Sequence, residues 1–217
     1  MIHLKSADEI ARIAAAGHVV ARVLDAIRDA VRPGVTTGDL DALAGKIIRE
    51  SGAEPSFLGY GSPPYPACIC VSVDDEVVHG IPGSRVLEEG SIVSIDVGAF
   101  LDGFHADAAR TFAVGRIPAE AAHLVRITEE AFWKGFDMAR TDCRMGDVSA
   151  AIQAHVEQAG YSVVRSLTGH GIGRALHEEP DVPNFGHAGR GLRLTGGLVF
   201  ALEPMVNRGG HPVRISP

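Results

Sequence analysis

A chain of 217 residues with 46% hydrophobic and 22% charged residues can bury one substantial core or two smaller fused ones, which excludes a disordered chain. Its formal net charge of −7, with Lys and Arg scattered, excludes a basic track for nucleic acid and suits a small neutral or cationic substrate. Charges throughout the first 30 residues exclude a signal peptide or membrane span, and three cysteines without a C-x-x-C form no disulfide framework, so the expected setting is cytoplasmic.

In chain order, Ser6 with Glu9 reads as a capping box, and Ile10, Ile13, Gly17, Val20, Leu24, Ile27 and Val31 follow at spacings of three and four. This predicts an amphipathic helix ended by Pro33-Gly34. A second helix is expected from about Thr37, with Leu40, Leu43 and Ile47 turned inward and a stop at Gly52. A loop rich in Gly, Pro and Tyr spans 59–66. β-rich runs follow at 68–73 and 92–97, with a return strand over 104–114. Pro118 suits the first position of a third helix whose Leu124, Ile127, Ala131 and Met138 share a face, and a fourth helix is expected over 146–160.

Residues 32–52 read RPGVTTGDLDALAGKIIRESG and residues 140–160 read RTDCRMGDVSAAIQAHVEQAG, so Arg, Gly-Asp, Ala and Gly recur at an offset of 108. Gly90 before Ile92-Val93-Ser94-Ile95-Asp96 is echoed by Gly197 before Val199-Phe200-Ala201-Leu202-Glu203, at an offset of 107. Each half is thus helices followed by a strand that ends on a carboxylate. Self-similarity at this length points to a duplicated α+β unit and not to a solenoid, which needs more and shorter repeats.

Carboxylates and histidines carry the chemistry. Asp96 and Asp107 flank an expected hairpin with Asp102-Gly103 near its tip. A loop centred between Leu101 and Asp102 would set them directly opposite each other; a turn made by Asp102-Gly103 would make them diagonal neighbours on one face. Like charges so placed need something positive between them. A pair of solvated surface aspartates is the plainer alternative, but Asp96 interrupts Ile92, Val93, Ile95 and Val97, where an unpaired charge is costly.

His170 lies in Thr168-Gly169-His170-Gly171-Ile172-Gly173, whose glycines let the backbone approach closely and leave the imidazole projecting. His177 follows in Leu176-His177-Glu178-Glu179-Pro180, and Glu203 ends an apolar run stopped by Pro204. One imidazole with several carboxylates suits Mn, Fe(II), Co or Zn better than Ca or Mg. His79, after a strand-like segment over 70–78 and before a turn, reads equally as an imidazole behind the metal ligands or on the substrate and as a histidine outside the site.

The stretches VVHGIPG, IVSIDVGAFLDGFHADAARTF, TGHGIGRALHEEPDVPNFG and FALEPMV, in this order and spacing, resemble the type I methionine aminopeptidases of the pita-bread metallopeptidases, from Ile10 to about Val206. The resemblance implies an α+β pita-bread fold, with pseudo-two-fold duplicated helices on a curved antiparallel sheet. It implies a single catalytic domain over 1–217, with pseudo-repeats of about 1–115 and 116–217. Asp96, Asp107, His170 and Glu203 would be metal ligands, with Asp107 bridging two divalent ions (Co, Mn, Fe(II) or Zn). Glu203 would take the proton of the attacking water, while His79 and His177 contact the scissile amide. Phe57, Tyr60, Tyr65, Cys70, Leu176 and Met205 would line the methionine pocket. The implied partner is the N-terminal methionine of nascent polypeptides followed by a small residue, with the ribosome as a docking partner, no nucleic acid or membrane, and a monomeric chain.

The family pattern has a fifth ligand, a glutamate on a later strand, and NRGGHPVRISP carries no acidic residue after Glu203. The internal repeat likewise puts the counterpart of Asp107 near or beyond residue 214. The expectation is therefore a C-terminally truncated copy holding one ion or none, with impaired activity. A non-catalytic binding protein on ribosomes or nascent chains and a proline-directed aminopeptidase are the alternative readings.

Overall fold

The computed structural model describes residues 2–215. The chain divides into two compact units, one of Ala7–Ala119 with Gly173–Leu176, the other of the residues up to Ser6, Glu120–Ile172 and those from His177 on.

In the first unit, α1 (Ala7–Ala30) and α2 (Thr37–Glu50) pack on a sheet of β1 (Glu54–Pro55), β2 (Ile69–Val73), β3 (Ile92–Leu101) and β4 (Phe104–Ala113). β3 is central, with β4 on one side and β2 and β1 on the other, all antiparallel. Burial on α1 begins only at Ala16 and runs through Val19, Val20, Val23, Leu24 and Ile27, while Ile10 is 42% exposed. On α2 the inward stripe is Leu40, Ala44 and Ile48, at spacings of four, and the expected Leu43 and Ile47 flank it half-buried. Val93, Ile95, Val97 and Ala99 complete the core from alternate positions of β3.

In the second unit, α3 (Ala119–Asp137) and α4 (Met145–Gln158) pack with two small sheets. β5 (Ser162–Val163) pairs with β9 (Val206–Asn207), and β6 (Gly169–Gly171) lies between β7 (Glu178–Val182) and β8 (Phe200–Ala201). Ala131, Met145, Val148, Ile152, Val156, Val163, Val182 and Leu194 form the core. The expected apolar strand before Glu203 is short: β8 ends at Ala201, and Leu202 and Glu203 follow it outside the ladder.

The sequence repeat is a repeat of local structure. α2 and α4 both have 14 residues. Asp39 and Asp147, third in their helices, accept from the backbone N–H of Thr36 and Arg144 at 2.9 and 2.7 Å. The Thr36 hydroxyl and then its N–H hold the Asp39 carboxyl below its ordinary value, and the N–H groups of Arg144 and Gly189 do the same for Asp147. Thr37 and Gly38 donate to the carbonyls of Arg85 and Gly83, and Met145 and Gly146 donate to those of Leu192 and Arg190. Gly38 and Gly146 are required at these crossings, because an added Cβ would meet the Gly83 oxygen at 2.9 Å and the Arg190 oxygen at 2.6 Å.

Candidate active site

The β3–β4 hairpin turns on Asp102-Gly103, both at positive φ (49° and 84°), as a two-residue turn between right-twisted strands demands. Leu101 pairs with Phe104, so Gly98 stands opposite Asp107 and Asp96 opposite Ala109. The two aspartates are therefore diagonal neighbours on one face. That face carries Ser94, Asp96 and Gly98, while Val93, Ile95 and Val97 point into the core, so Asp96 does not interrupt the apolar face: it sits half-buried on the other side.

Cys70 pairs with Asp96 across β2 and β3 and is buried on the same face. Asp41 of α2 anchors that strand by accepting from the backbone N–H of Cys68 and Ile69 at 2.8 and 3.0 Å. A Cβ on Gly98 would meet the Phe57 ring at 2.8 Å, so the bare backbone opposite Asp107 is what lets the buried Phe57 ring lie there. The Tyr65 hydroxyl reaches the Gly80 and Ile69 carbonyls at 2.9 and 3.2 Å. Phe57, Tyr65 and Cys70 thus gather about the two aspartates, whereas Tyr60 is 44% exposed. Leu176 is buried in this unit as well.

Burial pushes the Cys70 thiol up to about 12, and the nearby Asp96 charge adds to the shift; burial likewise raises Cys68. Cys143 is half-buried. At roughly pH 8, an alkylating reagent is expected to modify Cys143 in the native chain and to reach Cys68 and Cys70 only after unfolding. Peptide mass mapping checks this, and native labelling of Cys70 ahead of Cys143 would contradict it.

The strand expected over 70–78 ends at Val73, because Asp74 takes a positive φ of 59° and turns the chain. Asp74 then ties the turn back to β3 by accepting from the Ile92 N–H at 3.1 Å. His79 is exposed and also at positive φ, 60°, a conformation rarely kept by a residue with a side chain unless the surroundings impose it. They do: Gly80 donates to the Ser72 hydroxyl at 3.1 Å, accepts from Val71 N–H at 2.8 Å, and has no room for a Cβ against the Val71 carbonyl.

In the second unit, β6 carries His170 between Gly169 and Gly171, whose absent side chains let the Ala201 and Glu179 carbonyls press against the backbone. His170 pairs with Asp181 and Ala201, and the β6–β7 register shifts between His170 and Gly171. The ring is buried, and its Nδ1 lies 2.9 Å from the Gly171 carbonyl oxygen. Only a donor can pair with a carbonyl, so Nδ1 carries a proton and, in the neutral ring, Nε2 presents the lone pair. Nε2 is 3.2 Å from Glu203 Oε1, yet that buried oxygen has no hydrogen-bond partner, because the approach lacks hydrogen-bond directionality. A buried carboxylate oxygen left without a partner this close to an imidazole suits a cation as the third party. The buried Asn184 fixes this corner by donating from Nδ2 to the Glu203 carbonyl at 2.7 Å. The His177 and His170 ring centroids are 4.1 Å apart, and Met205 is buried in the same unit.

The first unit thus brings together Asp96, Asp107, Cys70, Tyr65 and Phe57, and the second brings together His170, His177 and Glu203. Among the described residues, no three His, Cys, Asp or Glu side chains are gathered into a group that could hold a metal. The donor set nevertheless fits a divalent ion of intermediate softness: an imidazole held in its ligating tautomer and a buried carboxylate oxygen without a partner in one unit, paired carboxylates in the other. Asn184, Ser72 and the ion pair of Lys5 with Glu178 escaped the sequence reading; an Asn inside the Pro183–Phe185 apolar stretch was the one local signal available.

A profile of metallopeptidase family M24 matches residues 11–216. A methionine aminopeptidase of Clostridium perfringens is 52% identical over 215 residues, covering 99% of this chain and 85% of that one. The crystal structure of methionine aminopeptidase from Rickettsia prowazekii superposes with a TM-score of 0.97 at 39% identity, over 100% of this chain and 86% of the other. That of the Thermotoga maritima enzyme gives 0.97 at 42% identity, with the same coverage.

Proposed function

Because the chain belongs to metallopeptidase family M24, with the pita-bread fold of its methionine aminopeptidases, we propose that it removes the N-terminal methionine of polypeptides whose second residue is small. The observation that carries a hydrolytic metal site is the buried Glu203 Oε1, without a hydrogen-bond partner and 3.2 Å from the imidazole of His170. Family M24 implies a divalent metal. Asp96, Asp107, His170 and Glu203 would hold it, as Co, Mn, Fe(II) or Zn, with up to two ions in the family and one or none in this chain, a reading that takes the two units as halves of one catalytic domain.

When bound, a divalent ion supplies Lewis acidity, lowering the pKa of a water and polarising the carbonyl to be attacked. The chain's own groups do the rest. The Glu203 carboxylate receives the proton of the attacking water and passes it to the departing amine. His79 and His177 donate hydrogen bonds that strengthen as charge grows on the carbonyl oxygen. Phe57, Tyr60, Tyr65, Cys70, Leu176 and Met205 offer an apolar, polarizable wall to a thioether. The diagonal aspartates make the site's first half acidic, which favours a substrate with a free α-ammonium group and so a chain end.

No helix among the described residues is long and apolar enough to cross a membrane. The three cysteines are free, consistent with the cytoplasm, where ribosome-borne nascent chains would be the substrate of a monomeric enzyme. The test is hydrolysis of Met-Ala-Ser against an Ala-Pro peptide, with each metal supplied and with chelator. Release of methionine that chelator stops is the expected result. Cleavage of the Ala-Pro peptide alone, or neither cleavage nor bound metal by mass spectrometry, would reject the proposal.

A further inference from the structure

We propose that Lys5 is a positioning residue that acts on His177 through Glu178. Lys5 lies before α1, on a segment that composition gives no reason to single out, yet its side chain is 1% exposed. Its ammonium forms an ion pair with the Glu178 carboxylate, itself 18% exposed, and donates to the His3 carbonyl at 3.0 Å. The backbone is held as firmly. Lys5 N–H donates to the Gly197 carbonyl at 2.7 Å, and Gly197, at φ 89°, lies so close that a Cβ would meet the Lys5 oxygen at 2.7 Å. A lysine this buried is tolerated only when paired, so the charge on Glu178 and the course of the N-terminal segment are fixed together.

Glu178 is where that anchoring reaches the site. It is bonded to His177, opens β7, and pairs with Gly171 at the register shift next to His170. The exposed His177 is thus fixed on its C-terminal side by a residue whose side chain is tied to a buried cation and whose backbone is tied to β6. The inference rests on the proposed contact of His177 with the scissile carbonyl. A hydrogen bond that tightens in the transition state is sensitive to displacements of about an ångström, so a loosened Glu178 lowers kcat and leaves KM nearly alone.

The experiment is a double-mutant cycle on the whole metal-loaded chain with a Met-Ala-Ser substrate, thermal melts confirming a folded protein. Lys5→Met is expected to lower kcat about tenfold with KM within about twofold. In a His177→Ala background the same substitution is expected to lower it less than about twofold further, because the group it positions is gone. A Lys5→Met effect that multiplies undiminished onto that of His177→Ala overturns the inference while leaving the role of His177 standing. An unchanged kcat in His177→Ala alone overturns that role, and the inference with it. Should Lys5→Met fail to fold, Glu178→Gln, which keeps the shape and removes the charge, enters the same cycle with the same expected coupling.

Discussion

Glu203→Gln is expected to lower kcat/KM by on the order of a thousandfold while leaving the metal-free protein at least as stable as it was. The two halves of this result have one cause. Glu203 Oε1 is buried without a hydrogen-bond partner and lies 3.2 Å from His170 Nε2. A side-chain amide of the same shape takes the charge out of this half-buried position and is no costlier to place there, so no loss of stability is expected. The amide is also a poor metal ligand and no base, so the catalytic loss comes both from weaker metal binding and from the missing proton acceptor. Melting curves in chelator and steady-state kinetics with metal measure the two halves separately. A destabilised apo protein that keeps its turnover would show that Glu203 is a structural carboxylate with no place in the chemistry.

How far the sequence could be read depended on how far apart the interacting residues stand along the chain. The hairpin was legible because Asp102-Gly103 favours positive φ and alternation runs on both sides, although periodicity alone left two registers open. The helices were legible from spacing, and the α2–α4 correspondence from the repeated Gly-Asp, whose Gly is needed for a close crossing and whose Asp caps the helix. Misplaced were details set by what each face meets. Ile10 continues the stripe of α1 but precedes the first buried position, and Asp96 was read as an interruption because period-two faces are mixed together in a linear string. Illegible altogether were the pairings across long separations: Lys5 with Glu178, the Phe57 ring over Gly98, and Asn184 on the Glu203 carbonyl. No local pattern encodes these, since each partner is ordinary in its own stretch.

The glycines flanking His170 give the second large effect. Gly171→Ala is expected to destabilise the chain by about 3 kcal/mol, near the upper end for inserting a methyl group into a packed site. The Cβ would strike the Glu179 carbonyl and lie 2.9 Å from that of Glu178, and both obstacles are backbone, which cannot rotate aside as a side chain would. Relief requires β7 to withdraw from β6, breaking the pairing of Gly171 with Glu178 and moving the carbonyl that sets the His170 tautomer. At roughly 2–4 °C per kcal/mol for a chain of this size, the melting temperature falls by about 10 °C, and activity falls further than stability when assayed well below the transition. Gly196→Ala is the control within the same unit: nothing stands within 4 Å of its Cβ and its φ is not positive, so a change of under about 1 kcal/mol is expected there, in the stabilising direction. Equal effects of the two substitutions would mean that the strands around His170 yield easily, and that the imidazole owes its orientation to something other than the glycine-permitted closeness of β6 and β7.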